Sequence, residues 1–224
     1  MIEAFWTPIL VSIRVVALAS ILSFVLAIIF AWWMKKRSFR GKVFVETALM
    51  LPLVLPPTVI GFGLLVIFGR RSVIGEWFEL LFNQPIVFTY LAAVIAATVV
   101  AFPLIYQLLI NGFETIDDEL EAAARQMGAK EWQVFVYVTL PMTWKTLISG
   151  YMLGFARAMG EFGATMMFAG SIYGVTQTVP TSIYIAVESG NTVLAAYWVG
   201  SIVIFAFVLL AVVQRLKRGT GGSF

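Results

Sequence analysis

The chain contains no cysteine and no histidine. The first absence excludes disulfide scaffolds and thiolate chemistry. The second excludes imidazole ligands and His-based acid–base catalysis, and most metal sites and enzyme mechanisms go with the pair. Charge is scarce too: charged residues make up 12% of the 224 and hydrophobic residues 61%, and the mean hydropathy is strongly positive, far from the balance of a soluble domain. The formal net charge is only +3, with the basic residues gathered beside apolar runs, which gives nucleic acid little to bind. The opening residues MIEAFWT carry Glu3 and no basic residue, and the apolar stretch behind them is too long for the core of a signal peptide. It reads as a retained span of a membrane protein.

A helix needs about 20 apolar residues to cross the hydrocarbon layer. Pro8 to Met34, Val43 to Phe68 and Pro85 to Ile110 meet that length, a fourth span starts near Pro141 and runs through ISGYMLGFARAMGEFGATMMFAG, and a last one covers Thr192 to Val213. The intervening SIYGVTQTVPTSIYIAVESGN is too polar for a confident span and suits a re-entrant or interfacial segment. Lys35, Lys36, Arg37, Arg40 and Lys42 after the first span, and Arg215, Lys217 and Arg218 in the tail, belong on the cytoplasmic side. Five spans then place the N-terminus outside and the C-terminus inside; a sixth would require the re-entrant segment to cross fully or one terminus to switch sides. Arg70 and Arg71 fall in an exterior loop and run against that rule. The organisation is one all-α polytopic domain over residues 1–218, followed by a flexible tail, 219–224.

One segment, 114–136, breaks the apolar pattern. It holds Glu114, Asp117, Asp118, Glu119, Glu121 and Glu131, half of the chain's 12 acidic residues, against Arg125 and Lys130. Acids gain nothing from anionic lipid, so this segment must face something other than a bilayer. Asp118 with Glu121 three residues on predicts a capped helix start, Leu120, Ala123, Ala124 and Met127 form an apolar stripe, and Gly128 is placed to end the helix in a left-handed turn. Alanines and a glycine permit close approach, which suits insertion into a groove of a soluble partner. On the residues alone, a plain cytoplasmic hairpin between two spans remains open.

LEAAARQMGAKEWQVFVYVTLP, with its glycine and its closing Leu140-Pro141, resembles the "EAA" loop of permease subunits of binding-protein-dependent ABC importers. The family glutamate stands six residues before the glycine, where this chain has Ala122, with Glu121 one place earlier; the resemblance therefore carries no glutamate salt bridge over to this chain. It implies a type I importer transmembrane fold in a prokaryotic inner membrane and a homodimer carrying two cytoplasmic ABC ATPase subunits. It also implies an extracytoplasmic binding protein, and a coupling role for Glu121, Ala122, Ala123, Ala124, Gly128, Ala129, Leu140 and Pro141. The chain has no G-x-x-x-x-G-K-[ST], so ATP and Mg²⁺ would be held by the ATPase partner and this chain would carry no cofactor of its own.

LPLVLPPTVIGFGLL, ARAMGEFGATMMFAG and GVTQTVPTSIY further resemble the molybdate branch of these permeases, which implies a pathway for molybdate, or for tungstate or sulfate. Pathway or gate candidates are Pro56, Pro57, Thr58, Gly61, Glu161, Gly163, Thr165 and Thr178. The prolines interrupt a helix, the glycines allow backbones to approach, and the hydroxyls offer donors to an oxyanion. Glu161 lies inside a span, where a carboxylate is functional or paired. It is a poor ligand for a dianion, so the preferred reading is structural, paired with Arg157 or held by backbone amides. A secondary carrier fits poorly, because no internal repeat and no carboxylate relay is visible. An embedded hydrolase would lack a nucleophile and base, and no catalytic or metal-ligating residue is assigned.

Overall fold

A computed structural model describes residues 2–218, so the expected flexible tail lies outside the described residues. In chain order the helices are α1 (Ile2–Lys36), α2 (Lys42–Val54), α3 (Pro57–Phe68), α4 (Val73–Phe82), α5 (Tyr90–Glu114), α6 (Asp118–Gln126) and α7 (Glu131–Val134). A π-helical turn over Phe135–Thr139 follows, then α8 (Leu140–Met142), α9 (Trp144–Met159), α10 (Gly163–Phe168), α11 (Val179–Glu188) and α12 (Thr192–Arg218). There is no strand among the described residues.

The core is built on α5. Its run of alanines (Ala92, Ala93, Ala96, Ala97, Ala101) is buried, and these small side chains let α1 and α9 pack closely along it. Toward the other end the contacts change to large side chains, with Ile105, Leu109 and Phe113 of α5 meeting Ala27, Ala31 and Met34 of α1. Lipid supplies no hydrophobic drive between helices, so fit of this kind is what holds them together.

The expected spans are partly redrawn. Three helices are long and apolar enough to cross a membrane, α1, α5 and α12, and the α2–α3 pair makes a fourth if it is taken as one broken span. That pair bends by 117°. Leu55 and Pro56 both sit before a proline and both are extended, and Pro57 opens α3 with the one residue type that gives up no helical N–H there. The third span starts at Tyr90 rather than Pro85, because Phe88 takes a left-handed φ of 60° and Thr89 caps the helix by accepting the Ala92 N–H. The fourth is not one helix: α9 stops at Met159, and Gly160–Phe162 separate it from α10. Arg14 lies within α1 with its side chain exposed.

The broken segments meet where α3 crosses α10. A Cβ on Gly61 would stand 2.6 Å from Met167 Cβ and 2.9 Å from Ala164 Cα, whereas one on Gly63 would meet nothing within 4 Å. Gly61→Val is therefore expected to destabilise the chain by about 1–3 kcal/mol, the usual range for overpacking. Gly63→Val should melt like the parent in detergent, and equal melting temperatures for the two variants would contradict the crossing.

Candidate functional site: a coupling helix tied to the first span

Helix α6 begins one residue earlier than its sequence pattern indicated. Asp117 is the cap, its Oδ1 accepting the Glu119 N–H at 2.9 Å, and Asp118 is the first helical residue. Glu121 does not turn back to the cap. It points inward and is buried, while Leu120 and Met127 face outward, Met127 being 89% exposed. One carboxylate of the helix thus lies inside while two large apolar side chains lie outside, alongside the exposed Asp118, Glu119 and Arg125.

Pairing explains the buried carboxylate. Lys35 Nζ, at the end of α1, donates to Glu121 Oε1 at 2.8 Å, and Thr139 Oγ1 donates to the same oxygen at 2.9 Å. Arg125 Nη2 donates to Glu121 Oε2 at 3.1 Å, and Arg125 Nε donates to Glu131 Oε1 at 2.8 Å. Lys36 closes the ladder on Glu131 and lies over the Trp32 ring. Two consecutive lysines of α1 thereby hold α6 and α7 together. The π turn carries buried Thr139 to this contact, with Leu140 N–H reaching back to the Phe135 carbonyl.

Burial alone pushes the Glu121 carboxyl up. The hydrogen bonds from Lys35 and Thr139, the Lys35 charge and the Arg125 hydrogen bond outweigh it and hold the group below its ordinary range. Glu131 is held low by hydrogen bonds from Lys36 and then Arg125. Glu121 is therefore ion-paired within the chain, to Lys35 and Arg125. Reading the alignment to the glycine hid it, and Lys35 and Thr139 were missed altogether. The only sequence signal for Lys35 was a Lys-Lys pair closing a span, which membrane orientation already explained.

The other coupling candidates cluster around this ladder. Gly128 has φ 89°, open space around it, and a turn in which Ala129 N–H donates to the Ala124 carbonyl at 3.1 Å. Ala124, Gly128 and Ala129, with Met127, Val134 and Tyr137, line a shallow groove of about 290 Å³. Ala123 is exposed, Ala122 and Leu140 are half-buried, and Pro141 is exposed on α8.

The pathway candidates separate into two groups. Pro56, Pro57 and Thr58 lie exposed at the α2–α3 bend, Gly61 and Gly163 make the close approach of α3 to α10, and Thr165 is buried on α10. Glu161 is buried beside them. Its Oε1 accepts the Ala164 N–H at 2.8 Å and its Oε2 accepts from Arg157 Nη1 at 3.1 Å, so it caps the short α10 while paired to α9. Thr178 is elsewhere, at the start of α11, where its carbonyl accepts from Thr181 Oγ1 and the next N–H, that of Val179, donates to Ser12 Oγ of α1 at 2.7 Å. Among the described residues no group of His, Cys, Asp and Glu is arranged to hold a metal ion.

A polytopic α-bundle with a polar helix carried on a hairpin between spans is the architecture of ABC importer membrane subunits. A bacterial alginate ABC transporter, solved with an alginate pentasaccharide-bound periplasmic protein, shares this fold with a TM-score of 0.76 at 15% identity, the match covering 99% of this chain and 81% of that one. The chain belongs to the family of binding-protein-dependent transport system inner membrane components, whose model matches residues 23–218. It is 51% identical over 213 residues to the putative molybdenum transport system permease protein YvgM of Bacillus subtilis, covering 95% of this chain and 94% of that one. It is 40% identical over 219 residues to the molybdenum transport system permease protein ModB of Escherichia coli K12, covering 95% and 93%.

The ladder has a pH signature. A carboxyl held below its ordinary value of 4.5 contributes its full stabilisation above that value and loses it as pH falls through the lower folded-state value. Amide protection factors across α6 should therefore stay level down to about pH 4.5 and fall only below it. A fall already complete by about pH 6 would show that Glu121 is not the group responsible.

Proposed function

We propose that this chain is the membrane-spanning subunit of an ATP-driven importer and forms the translocation pathway for molybdate. The observation that carries the reading is the outward apolar stripe of α6, fixed in place by the Lys35–Glu121 pair, on a chain that closely resembles two molybdenum transport permeases. A stripe ending in a left-handed glycine, beside a groove floored by alanines, fits a cleft on a cytoplasmic protein. The occupant of that role is an ABC ATPase that holds ATP and Mg²⁺, leaving this chain without catalytic residues or cofactor.

Residues 1–218 act as one transporter domain in a prokaryotic inner membrane, with the N-terminus outside and the C-terminus and coupling segment in the cytoplasm. One chain carries one coupling helix, so engagement of two ATPase subunits calls for a homodimer about a two-fold axis. An extracytoplasmic oxyanion-binding protein delivers cargo. Closure of the ATPase pair draws the two coupling helices together. The ladder passes that displacement to the end of α1, while the π turn and α8 pass it to α9. At the far end of α9, Glu161 holds α10, on which α3 rides at Gly61. Thr58, exposed in the first turn of α3, presents a hydroxyl at the positive end of a helix, which suits a passing anion. Few fixed cations line this route, which favours release over capture.

Reconstitution into proteoliposomes tests the reading. Molybdate uptake should require the ATPase, ATP and the binding protein together. Gly128→Trp should abolish both co-purification of the ATPase and uptake while the chain remains inserted. Uptake by the chain alone, driven by a proton gradient, would overturn the importer assignment. ATP-driven uptake of sulfate in preference to molybdate would overturn only the cargo.

A further inference from the structure

Helix α4 carries a large apolar surface that none of the contacts above uses. Phe78 packs on the cluster containing Ile86, Val87 and Tyr90, and Gly75 is pressed so closely to the preceding loop that a Cβ there would stand 2.0 Å from the Gly69 carbonyl oxygen. The helix is therefore fixed on one side. On the opposite side Val73, Trp77, Leu80 and Leu81 are 72%, 65%, 80% and 73% exposed. Glu76 and Glu79 lie along a separate strip of the helix, so the apolar surface is a face and not a scatter.

The depth of this helix in the membrane follows from α1. Arg14 and Lys35 are 21 residues apart on one continuous helix, which at about 1.5 Å per residue is about 32 Å, the thickness of the hydrocarbon layer. Lys35 marks the boundary at the coupling end, and Arg14 marks the opposite one. Tyr90 Oη donates to the Arg14 carbonyl at 2.9 Å, and α4 packs in the cluster that includes Tyr90. Thus α4 lies at the boundary farthest from the coupling segment. There an exposed tryptophan and a row of aliphatic side chains meet the headgroup region.

Arg70 and Arg71 complete the pattern. Both are exposed immediately before α4, on the side of the membrane where short loops rarely carry basic residues, and neither forms an ion pair among the described residues. They also sit at the positive end of a helix already capped by Ser72, which accepts the Gly75 N–H at 2.9 Å. Two cations at that end are disfavoured, and the single carboxylate in the first turn, that of Glu76, offsets only part of their charge. We propose that Arg70, Arg71 and α4 together form an anchor for anionic phospholipid in the leaflet opposite the coupling segment. The guanidinium groups hold lipid phosphate, and the Val73–Trp77–Leu80–Leu81 face enters the acyl boundary.

The absence of cysteine from the chain makes a single label unambiguous. Nitroxides on Leu80→Cys, Leu81→Cys and Glu76→Cys are compared in the assembled transporter, in nanodiscs of phosphatidylglycerol and phosphatidylcholine. The ratio of oxygen to nickel-chelate accessibility should be several-fold higher at 80 and 81 than at 76. Equal ratios, spin–spin broadening from a second copy at 80, or protection appearing only when the binding protein is added would each overturn the anchor. Arg70→Gln/Arg71→Gln should reduce the phosphatidylglycerol that co-purifies with the transporter several-fold and leave phosphatidylcholine unchanged. Unchanged phosphatidylglycerol would remove the arginines from the proposal.

Discussion

A lysine and a glutamate buried against each other, Lys35 on α1 and Glu121 on α6, determine which way helix α6 faces. Alone, either charge would be expelled toward water, because an unpaired ion in such a site costs several kcal/mol. Paired, and with Thr139 and Arg125 filling the remaining lone pairs, the carboxylate becomes the inward face. The apolar stripe is then forced outward. Leu120 and Met127 are exposed as a result.

The same logic recurs at the other end of α9. Breaking a membrane helix frees backbone groups that lipid cannot satisfy. Glu161 answers one of them by accepting the Ala164 amide, and Arg157 holds the carboxylate in place. At the α2–α3 bend the problem is solved by composition, since prolines carry no amide hydrogen to leave unpaired. The two breaks face each other across Gly61 and Gly163. Discontinuous helices stacked on small residues form a joint that can tilt, whereas α5, with its alanine-lined contact to α1, is suited to stay fixed. One chain thus combines a closely packed spine with a broken side.

Much of this was legible in the residues. The membrane class followed from hydropathy, and the coupling segment from its acids and from Gly128. The pairing of Glu161 with Arg157 followed from a spacing of four on a helix. What was hidden had physical causes. The 117° bend needed two adjacent extended residues, and proline in a membrane helix is compatible with a mild kink as well. The division of the fourth span at Gly160 was hidden because the Arg157–Glu161 pair beside it is equally compatible with an unbroken helix. The Lys35–Glu121 contact joins residues 86 positions apart, and no local pattern reports it. Aligning on the glycine even pointed to Ala122 instead. The cap shifted from Asp118 to Asp117 for a lesser reason: both positions hold aspartate, and only the backbone geometry selects between them.

The account stands on the coupling between Lys35 and Glu121, which a double-mutant cycle measures directly. Lys35→Met, Glu121→Gln and the double variant would be compared in the assembled transporter through the protection of α6 amides against hydrogen exchange. If the pair orients the helix, each single substitution lowers protection, and the double variant is no worse than the more damaging single, giving an interaction of about 1–3 kcal/mol. Strictly additive losses, or single variants that protect α6 as well as the parent, would show that something else aims the stripe outward.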